Sequence, residues 1–266
     1  MGRLFVVATA IGNLSDISER ARETLVSVAL VAAEDTRRTL GLLAHFSIKT
    51  PAVSYHKFNE EGRGRELIEK ILREDIDVAL VSDAGTPCIS DPGCAVVRMA
   101  REAGIEVVGI PGPCAAVTAL SVCGFIFDSF MFMGFIPREK KEREEYFNTL
   151  SEGGTDTFVL YESPNRIRKS LREISRLLPG SEVFAVNDMT KFYERAYRGS
   201  AEEVAAALEA EEKSGLGEYT VVLNRKRMSK EDGERRLSAE ALLADEMARS
   251  GCTLREAVEA VCAGNA

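Results

Sequence analysis

Short apolar runs alternate with amphipathic segments from the first residues onward. Residues 4–8 (LFVVA), 30–34 (LVAAE), 52–55 (AVSY), 77–82 (DVALVS) and 105–110 (IEVVGI) read as strands. Between them, apolar positions at helical spacing predict helices over 18–29, 36–46, 61–74 and 95–104. Ser18 stands where an N-cap belongs, and Gly104 where the fourth helix must stop. The third helix carries Leu67, Ile68, Ile71 and Leu72 on one face. The run at 77–82 is apolar without alternation, as in a strand covered on both faces. Alternation of this kind predicts an α/β fold with a largely parallel sheet.

After a helix beginning near Pro113 the pattern restarts. Strands are expected at 130–135, 157–162, 182–187, 194–199 and 218–224, with helices over 138–150, 165–178 and 200–210. Short spacings in this half suggest antiparallel pairing. The organisation expected is an N-terminal α/β domain over 1–121 and a C-terminal α/β domain over 122–224. Residues 225–266 follow as a polar linker and a short helical tail with two helices around Ser250 and Gly251.

Composition narrows the function. A chain of 266 residues with 45% hydrophobic and 29% charged residues is a folded composition, and its net charge of −8 argues against coating nucleic acid through bulk charge. Every longer apolar window is broken by charge, so no membrane span is expected. Asn13 and Asp16 arrive too early for a signal peptide, and the expectation is a cytoplasmic protein. Six cysteines without a Cys-x-x-Cys pair, together with two histidines, make a structural metal unexpected. Most of these cysteines read as reduced thiols inside apolar helical stretches.

Glycine, proline and small polar residues collect where strands should end, at 9–14, 34–37, 82–93 and 111–116. Ligands of open α/β sheets bind outside the carboxyl ends of the strands, so four such loops on one edge predict a ligand pocket. The dinucleotide fingerprint, the P-loop and the Gly-x-Ser-x-Gly elbow are all missing from the sequence. Two histidines leave little room for Ser–His or Cys–His catalysis. The pocket therefore suits a bound cosubstrate rather than a side-chain nucleophile.

The motifs VATAIGNLSDISERA, AAEDTRRTLGLL, SDAGTPCISDPG, PGPCAAVTALS, FMGFIPR, TFVLYESPNRI and MTKFYER occur in that order within 1–224. In this the chain resembles the ribosomal small-subunit methyltransferase I family, of the tetrapyrrole-methylase group of S-adenosylmethionine-dependent methyltransferases. The resemblance implies two α/β domains of tetrapyrrole-methylase type with the cofactor in the cleft between them. It implies methylation of the ribose 2′-hydroxyl of a decoding-centre cytidine in 16S rRNA, in the 30S subunit, by a homodimer. Cofactor contacts would then come from Ile11, Gly12, Asp83, Gly85, Thr86, Pro111, Gly112, Cys114 and Ala115, with Tyr161, Asn187 and Asp188 facing them from the second domain. Small residues in these loops let an adenosine approach closely.

A ribose hydroxyl is a weak acid, so a positioned base is expected. Among Glu34, Asp35, Glu162, Asp188 and Lys191, the sequence reading favours Asp35 and Lys191. RNA needs phosphate contacts despite the acidic total, and Arg166, Arg168, Lys169 and Arg195 form the basic track expected to supply them, with Arg225–Arg227 as a further patch. The KKEREE run at 140–145 reads only as a solvated helix face with i,i+4 pairs. Three positions depart from the family pattern: Ala10 for Pro, Asn165 for His, and Asn187-Asp188-Met189 for Arg-Glu-Leu. These departures keep in view a cofactor-binding ribosome-associated module with weakened catalysis, while the fold group offers a methylase of tetrapyrroles or other small molecules, from which the first loop, Thr9-Ala10-Ile11-Gly12-Asn13, points away.

Overall fold

The computed structural model describes residues 2–211 and 215–225, and beyond them 243, 247, 248 and 250–258. Its contacts gather Met1–Arg225 into one compact unit and Lys226–Ala266 into a second. In the second unit, residues 254–258 are helical and Gly251 takes a left-handed φ of 62° just ahead of them. Most of the expected linker, Lys226 and Arg227 included, lies outside the described residues.

The first sheet is wholly parallel. Its strands are β1 (Leu4–Val7), β2 (Leu30–Ala33), β3 (Ala52–Ser54), β4 (Val78–Val81) and β5 (Val107–Ile110), in the order β3-β2-β4-β1-β5. Helices α1 (Glu19–Ser27), α2 (Thr36–His45), α3 (Glu60–Glu74) and α4 (Cys94–Glu102) connect them. The unalternating apolar run at 77–82 has its reason in the packing. Ala79 and Val81 face Leu25 and Leu43 on one side, while Val78 and Leu80 face Leu67, Ile71 and Val96 on the other. Both faces are covered, so each residue of β4 is buried. Ser18 caps α1 by accepting from the Ala21 N–H at 3.1 Å, as its sequence position suggests.

The second sheet comprises β6 (Met131–Phe135), β7 (Thr157–Glu162), β8 (Glu182–Asn187), β9 (Arg195–Ser200) and β10 (Tyr219–Asn224), in the order β6-β7-β10-β8-β9. Only β6 and β7 run parallel; the other pairs are antiparallel, as the short spacings suggest. Helices α6 (Lys140–Glu152), α7 (Ile167–Leu177) and α8 (Ala201–Glu209) cover one face of this sheet. The other face packs on α5 (Ala115–Val122): Ala116, Ala119 and Leu120 lie against Val159, Phe184, Val186 and Val222. Helix α5 thus begins at the carboxyl edge of the first sheet and buries its apolar side on the second.

One cation of the expected RNA surface, and one of the run read as a solvated helix face, belong to this scaffold. Arg225 donates to the carbonyls of Leu150, Ser151, Gly153 and Thr155 and pairs with Asp156 at 3.1 Å, closing the carboxyl end of α6. Arg143, read as solvated within KKEREE, is instead largely buried, pairing with Glu173 at 2.6 Å and donating to Ser170 and the Pro137 carbonyl. Among the described cysteines the expected burial holds for Cys123, whereas Cys94 is exposed at the head of α4.

Candidate active site between the two sheets

In a parallel sheet every strand ends on the same side, so the loops after β1, β4 and β5 meet at one edge. The loops after β1 and β4 come together at an isolated bridge, where the Thr9 N–H donates to the Gly85 carbonyl at 2.8 Å and the Gly85 N–H returns to Thr9 at 3.2 Å. The long loop after β4 is wound tightly, with left-handed φ at Gly85 (79°), Cys88 (73°) and Ser90 (65°). Non-glycine residues hold such angles only where their surroundings fix them, and such strain gathers at ligand sites.

Opposite lies the carboxyl end of β7. Tyr161 pairs across the sheet with Thr220, which brings both to the rim of the cleft. An irregularity between Phe132 and Gly134 breaks the alternation of β6, with Gly134 at φ 64°. A residue inserted in one strand shifts the side-chain phase. Phe132 and Phe135 both approach Tyr161 edge-on as a result, at ring separations of 5.0 and 5.4 Å. The Tyr161 hydroxyl lies near Cys114 and the Ala116 N–H, at the head of α5. Burial pushes that hydroxyl up to about 12, with the nearby Cys114 adding to the shift. Tyr161 is therefore an un-ionised polar contact and not a base.

These segments enclose a cavity of about 150 Å³. Of the residues expected to meet a cofactor, Ile11, Gly85, Thr86, Cys114, Ala115, Tyr161 and Asp188 line it, as does Lys191. Apolar cover comes from Ile89, Phe135 and Met189. The cavity walls carry the carboxylates of Asp91, Asp188 and Glu218 against one cation, Lys191, while the Glu162 carboxylate is held by Ser163, Ser170 and Arg166. An acidic excess beside two aromatic rings suits a positively charged sulfonium, and the small residues at 84, 85, 114 and 115 leave room for an adenosine. The residues present fit S-adenosylmethionine.

The other expected cofactor residues stand around the cavity rather than in its wall. Gly12 lets the first loop lie against the second sheet, since a Cβ there would sit 2.6 Å from Lys191 Cγ and 2.9 Å from Thr190 Oγ1. The adjacent Asn13 N–H donates to that same Thr190 hydroxyl at 3.1 Å. Gly112 packs on Ala8, where a Cβ would come within 2.9 Å of the alanine's own, and the Pro111 carbonyl accepts from Ser18 Oγ at 3.3 Å. Asp83 accepts from the Asp35 N–H at 3.0 Å and pairs with Arg38 at 3.5 Å. Asn187 is buried and donates to the Leu216 and Glu218 carbonyls, shaping the turn that presents Asp188.

Neither favoured base is equipped to take a proton. Asp35 caps α2, accepting from the Arg37 N–H at 2.9 Å, and does not line the cavity. The hydrogen bonds from the Arg37 side chain and N–H hold its carboxyl down at about 2. Lys191 does line the cavity, but it keeps its proton. Burial pulls its pKa down, yet the hydrogen bond it donates to Asp188 at 2.7 Å and the charge of Glu218 outweigh that and leave it raised. Glu162 is wholly buried in a clamp, accepting from the Ser163 N–H at 2.8 Å and from Ser170 Oγ at 2.7 Å, with Arg166 at 3.3 Å. Arg166 also donates to the Ile136 and Pro137 carbonyls at 2.6 and 3.0 Å.

The basic track is thereby reduced. Arg166 ties β6 to β7, and Arg195 is paired with Glu211. Arg168 and Lys169 remain exposed on α7, without an ion pair among the described residues. The carboxylate that the sequence reading passed over is Asp91, the second aspartate of SDPG. Burial, with the charge of Glu34 behind it, pushes its carboxyl up to about 6. No group of three His, Cys, Asp or Glu side chains among the described residues is arranged to hold a metal.

The fold and the site define a methyltransferase of the tetrapyrrole-methylase class. The sequence model described as Tetrapyrrole (Corrin/Porphyrin) Methylases matches residues 3–205. Solved structures of this shape include uroporphyrin-III C-methyltransferase from Thermus thermophilus complexed with S-adenyl homocysteine (TM-score 0.58, 19% identity, 83% of this chain and 97% of that one). Diphthine synthase is another (TM-score 0.63, 14% identity, 88% and 94%). At such identities the likeness is one of fold.

Sequence relatives are far nearer. A ribosomal RNA small subunit methyltransferase I from Escherichia coli O157:H7 is 42% identical over 91% of this chain and 82% of its own length. A namesake from Thermotoga maritima is 43% identical over 85% of this chain and its entire length. The chain belongs to the ribosomal RNA small subunit methyltransferase I family, and S-adenosylmethionine is its methyl donor.

Proposed function

We propose that the protein methylates the ribose 2′-hydroxyl of a decoding-centre cytidine in 16S rRNA within the 30S subunit. The observation that carries this reading is the acidic, aromatic-walled cavity between the sheets, built by the motifs shared with relatives named for small-subunit rRNA methylation. When bound, the cofactor supplies an electrophilic methyl group on a sulfonium, which is transferred by in-line displacement.

The chain's own residues align, shield and neutralise. Ile11, Phe135 and Met189 keep water from the reacting centre. Tyr161 is flanked by the edges of Phe132 and Phe135, so its ring presents a fixed wall. Lys191, fixed as a cation by Asp188 and Glu218, offers a partner to a carboxylate entering the cavity. Exposed Arg168 and Lys169 are the basic residues of the expected track left to meet phosphates.

The test is incubation with labelled S-adenosylmethionine and 30S subunits from cells lacking the modification, followed by nucleoside analysis. Label in 2′-O-methylcytidine is the expected result. Label on a base, or transfer only to a tetrapyrrole, would overturn the reading. Cofactor binding without any transfer would favour the weakened-module alternative instead. No helix among the described residues is long and apolar enough to cross a membrane, and the proposed rRNA substrate supports the reading of a cytoplasmic enzyme. The same proposal includes a homodimer, for which sedimentation at micromolar concentration is the direct measurement.

A further inference from the structure

The turn after β8 is tightly held, and what it presents to solvent is aromatic. Asp188 and Thr190 both take left-handed φ, at 51° and 65°. The Lys191 N–H donates to the Asp188 carbonyl at 2.9 Å, and the Glu194 N–H to the Lys191 carbonyl at 3.1 Å. Glu194 accepts from the Thr190 N–H, Lys191 pairs with Asp188 and Glu218, and the Thr190 hydroxyl accepts from the Asn13 N–H of the first loop. Non-glycine residues keep such angles only where their surroundings fix them. Within this clamped turn Phe192 is 93% exposed and Tyr193 63% exposed, their rings meeting edge-on at 4.9 Å.

Scattered exposed apolar side chains are ordinary on a protein surface, so position decides what this pair is for. Met189 and Lys191, just ahead of it in the same turn, line the cofactor cavity, and so does the exposed Phe135 at the end of β6. The aromatic pair therefore stands beside the methyl-donor site. The charges around it do not suit a phosphate. Asp188, Glu194 and Glu218 gather at the turn, and its cations are taken up, Lys191 by Asp188 and Glu218 and Arg195 by Glu211. A nucleobase is neutral and carries a π face, so it can settle on a ring where a phosphate would be repelled.

We propose that Phe192, with Tyr193 beside it, is a stacking platform for an unpaired base of the RNA next to the acceptor nucleotide. This rests on the rRNA 2′-O reading above. Enzymes that act on a nucleotide buried in a helix take it out of the stack, and a methyl donor held between two sheets demands the same of its ribose. The neighbouring base then loses a stacking partner, and an exposed ring next to the cavity wall replaces it. Selective RNA recognition works on such splayed bases, laid against aromatic side chains. Stacking also suits a chain with a net charge of −8, in which Arg168 and Lys169 are the cations of the expected track left for phosphates.

The chain contains no tryptophan, so Phe192→Trp installs a single fluorescent reporter that can itself stack. With S-adenosylhomocysteine present, its emission should be quenched when unmodified 30S subunits are added, as a base settles on the indole. Val26→Trp is the control, because that exposed position ends α1 at the opposite edge of the first sheet and should show no such quenching. Phe192→Ala should raise KM for 30S subunits about 5- to 150-fold, the range for one lost base–aromatic stack, with cofactor Kd within about threefold of wild type. Phe192→Leu, apolar but without a ring, should behave as Phe192→Ala does. The salt slope of RNA binding should match wild type in both, since no phosphate contact is lost. A Phe192→Ala or Phe192→Leu enzyme with wild-type KM, or Phe192→Trp emission unchanged by saturating 30S subunits, overturns the platform. So does a wild-type dimer that dissociates in Phe192→Ala on sedimentation, which makes the ring a contact with a second copy of the chain. Wild-type protein that transfers no label to 30S subunits overturns the substrate reading itself, a result distinct from an active wild type with an undiminished Phe192→Ala.

Discussion

Replacing Arg166 with Met separates two meanings of the same positive charge. In the structure the guanidinium is three-quarters covered, donates to the Ile136 and Pro137 carbonyls, and lies 3.3 Å from a Glu162 carboxylate with no exposure at all. Removing it leaves Glu162 with the Ser163 N–H and hydroxyl and the Ser170 hydroxyl as partners and frees the Ile136 carbonyl, while the Pro137 carbonyl keeps Arg143. Breaking one side of a buried pair costs about 3–5 kcal/mol, and the residual exposure of Arg166 favours the lower end of that range. For a folded unit of this size each kcal/mol moves Tm by about 2–4 °C, so a fall of about 6–12 °C is expected. Urea and thermal denaturation followed by circular dichroism measure it directly. The double variant Glu162→Gln/Arg166→Met should recover at least half of the loss, because no charge is then stranded. A phosphate contact would behave otherwise. Tm would hold, and the salt dependence of RNA binding would fall by about one unit of slope. That outcome would refute the clamp.

Two further variants test the rest of the site. Gly12→Ala places a methyl group against Lys191 and Thr190 and pushes the first loop from the second sheet, so cofactor Kd should rise about 10-fold or more with little change in Tm, as read by calorimetry. Asp35→Asn keeps a good N-cap on α2 and removes only a carboxylate that does not line the cavity. Its kcat should stay within about threefold of wild type; a collapse of kcat would return Asp35 to the chemistry.

The elements were legible in the sequence because their causes are local. A continuous run such as 77–82 declares a strand buried on both faces, and Ser18 and Gly104 sit where helix ends require them. Loops at the carboxyl ends of parallel strands follow from the topology, so it was legible that Gly85, Thr86, Cys114 and Ala115 would line one cavity. The cations were misread for the opposite reason. Arg166 and Arg225 are held by carbonyls about 30 and 70 residues away, and no local pattern encodes such partners. Asp35 did carry a local signal, an aspartate directly before a helix-forming run, which marks a cap and not a base. Asp91 carried a weaker one. Its place in SDPG, just ahead of a helix, gave no hint that its carboxylate would line the cofactor cavity.

Helix α5 has a consequence for how the chain can be divided. Its first turn lies in the cofactor wall, where Ala115 lines the cavity. Its remaining apolar side is covered by strands that the ribosome makes only afterwards. A nascent chain that has reached Val122 therefore holds a finished parallel sheet with a greasy helix hanging from it. That helix stays unsheltered until β7, β8 and β10 have all emerged, with β10 last. The cofactor wall is closed by the late arrival of a strand some hundred residues downstream, so the enzyme acquires its methyl-donor site only when nearly the whole of the Met1–Arg225 unit has been made.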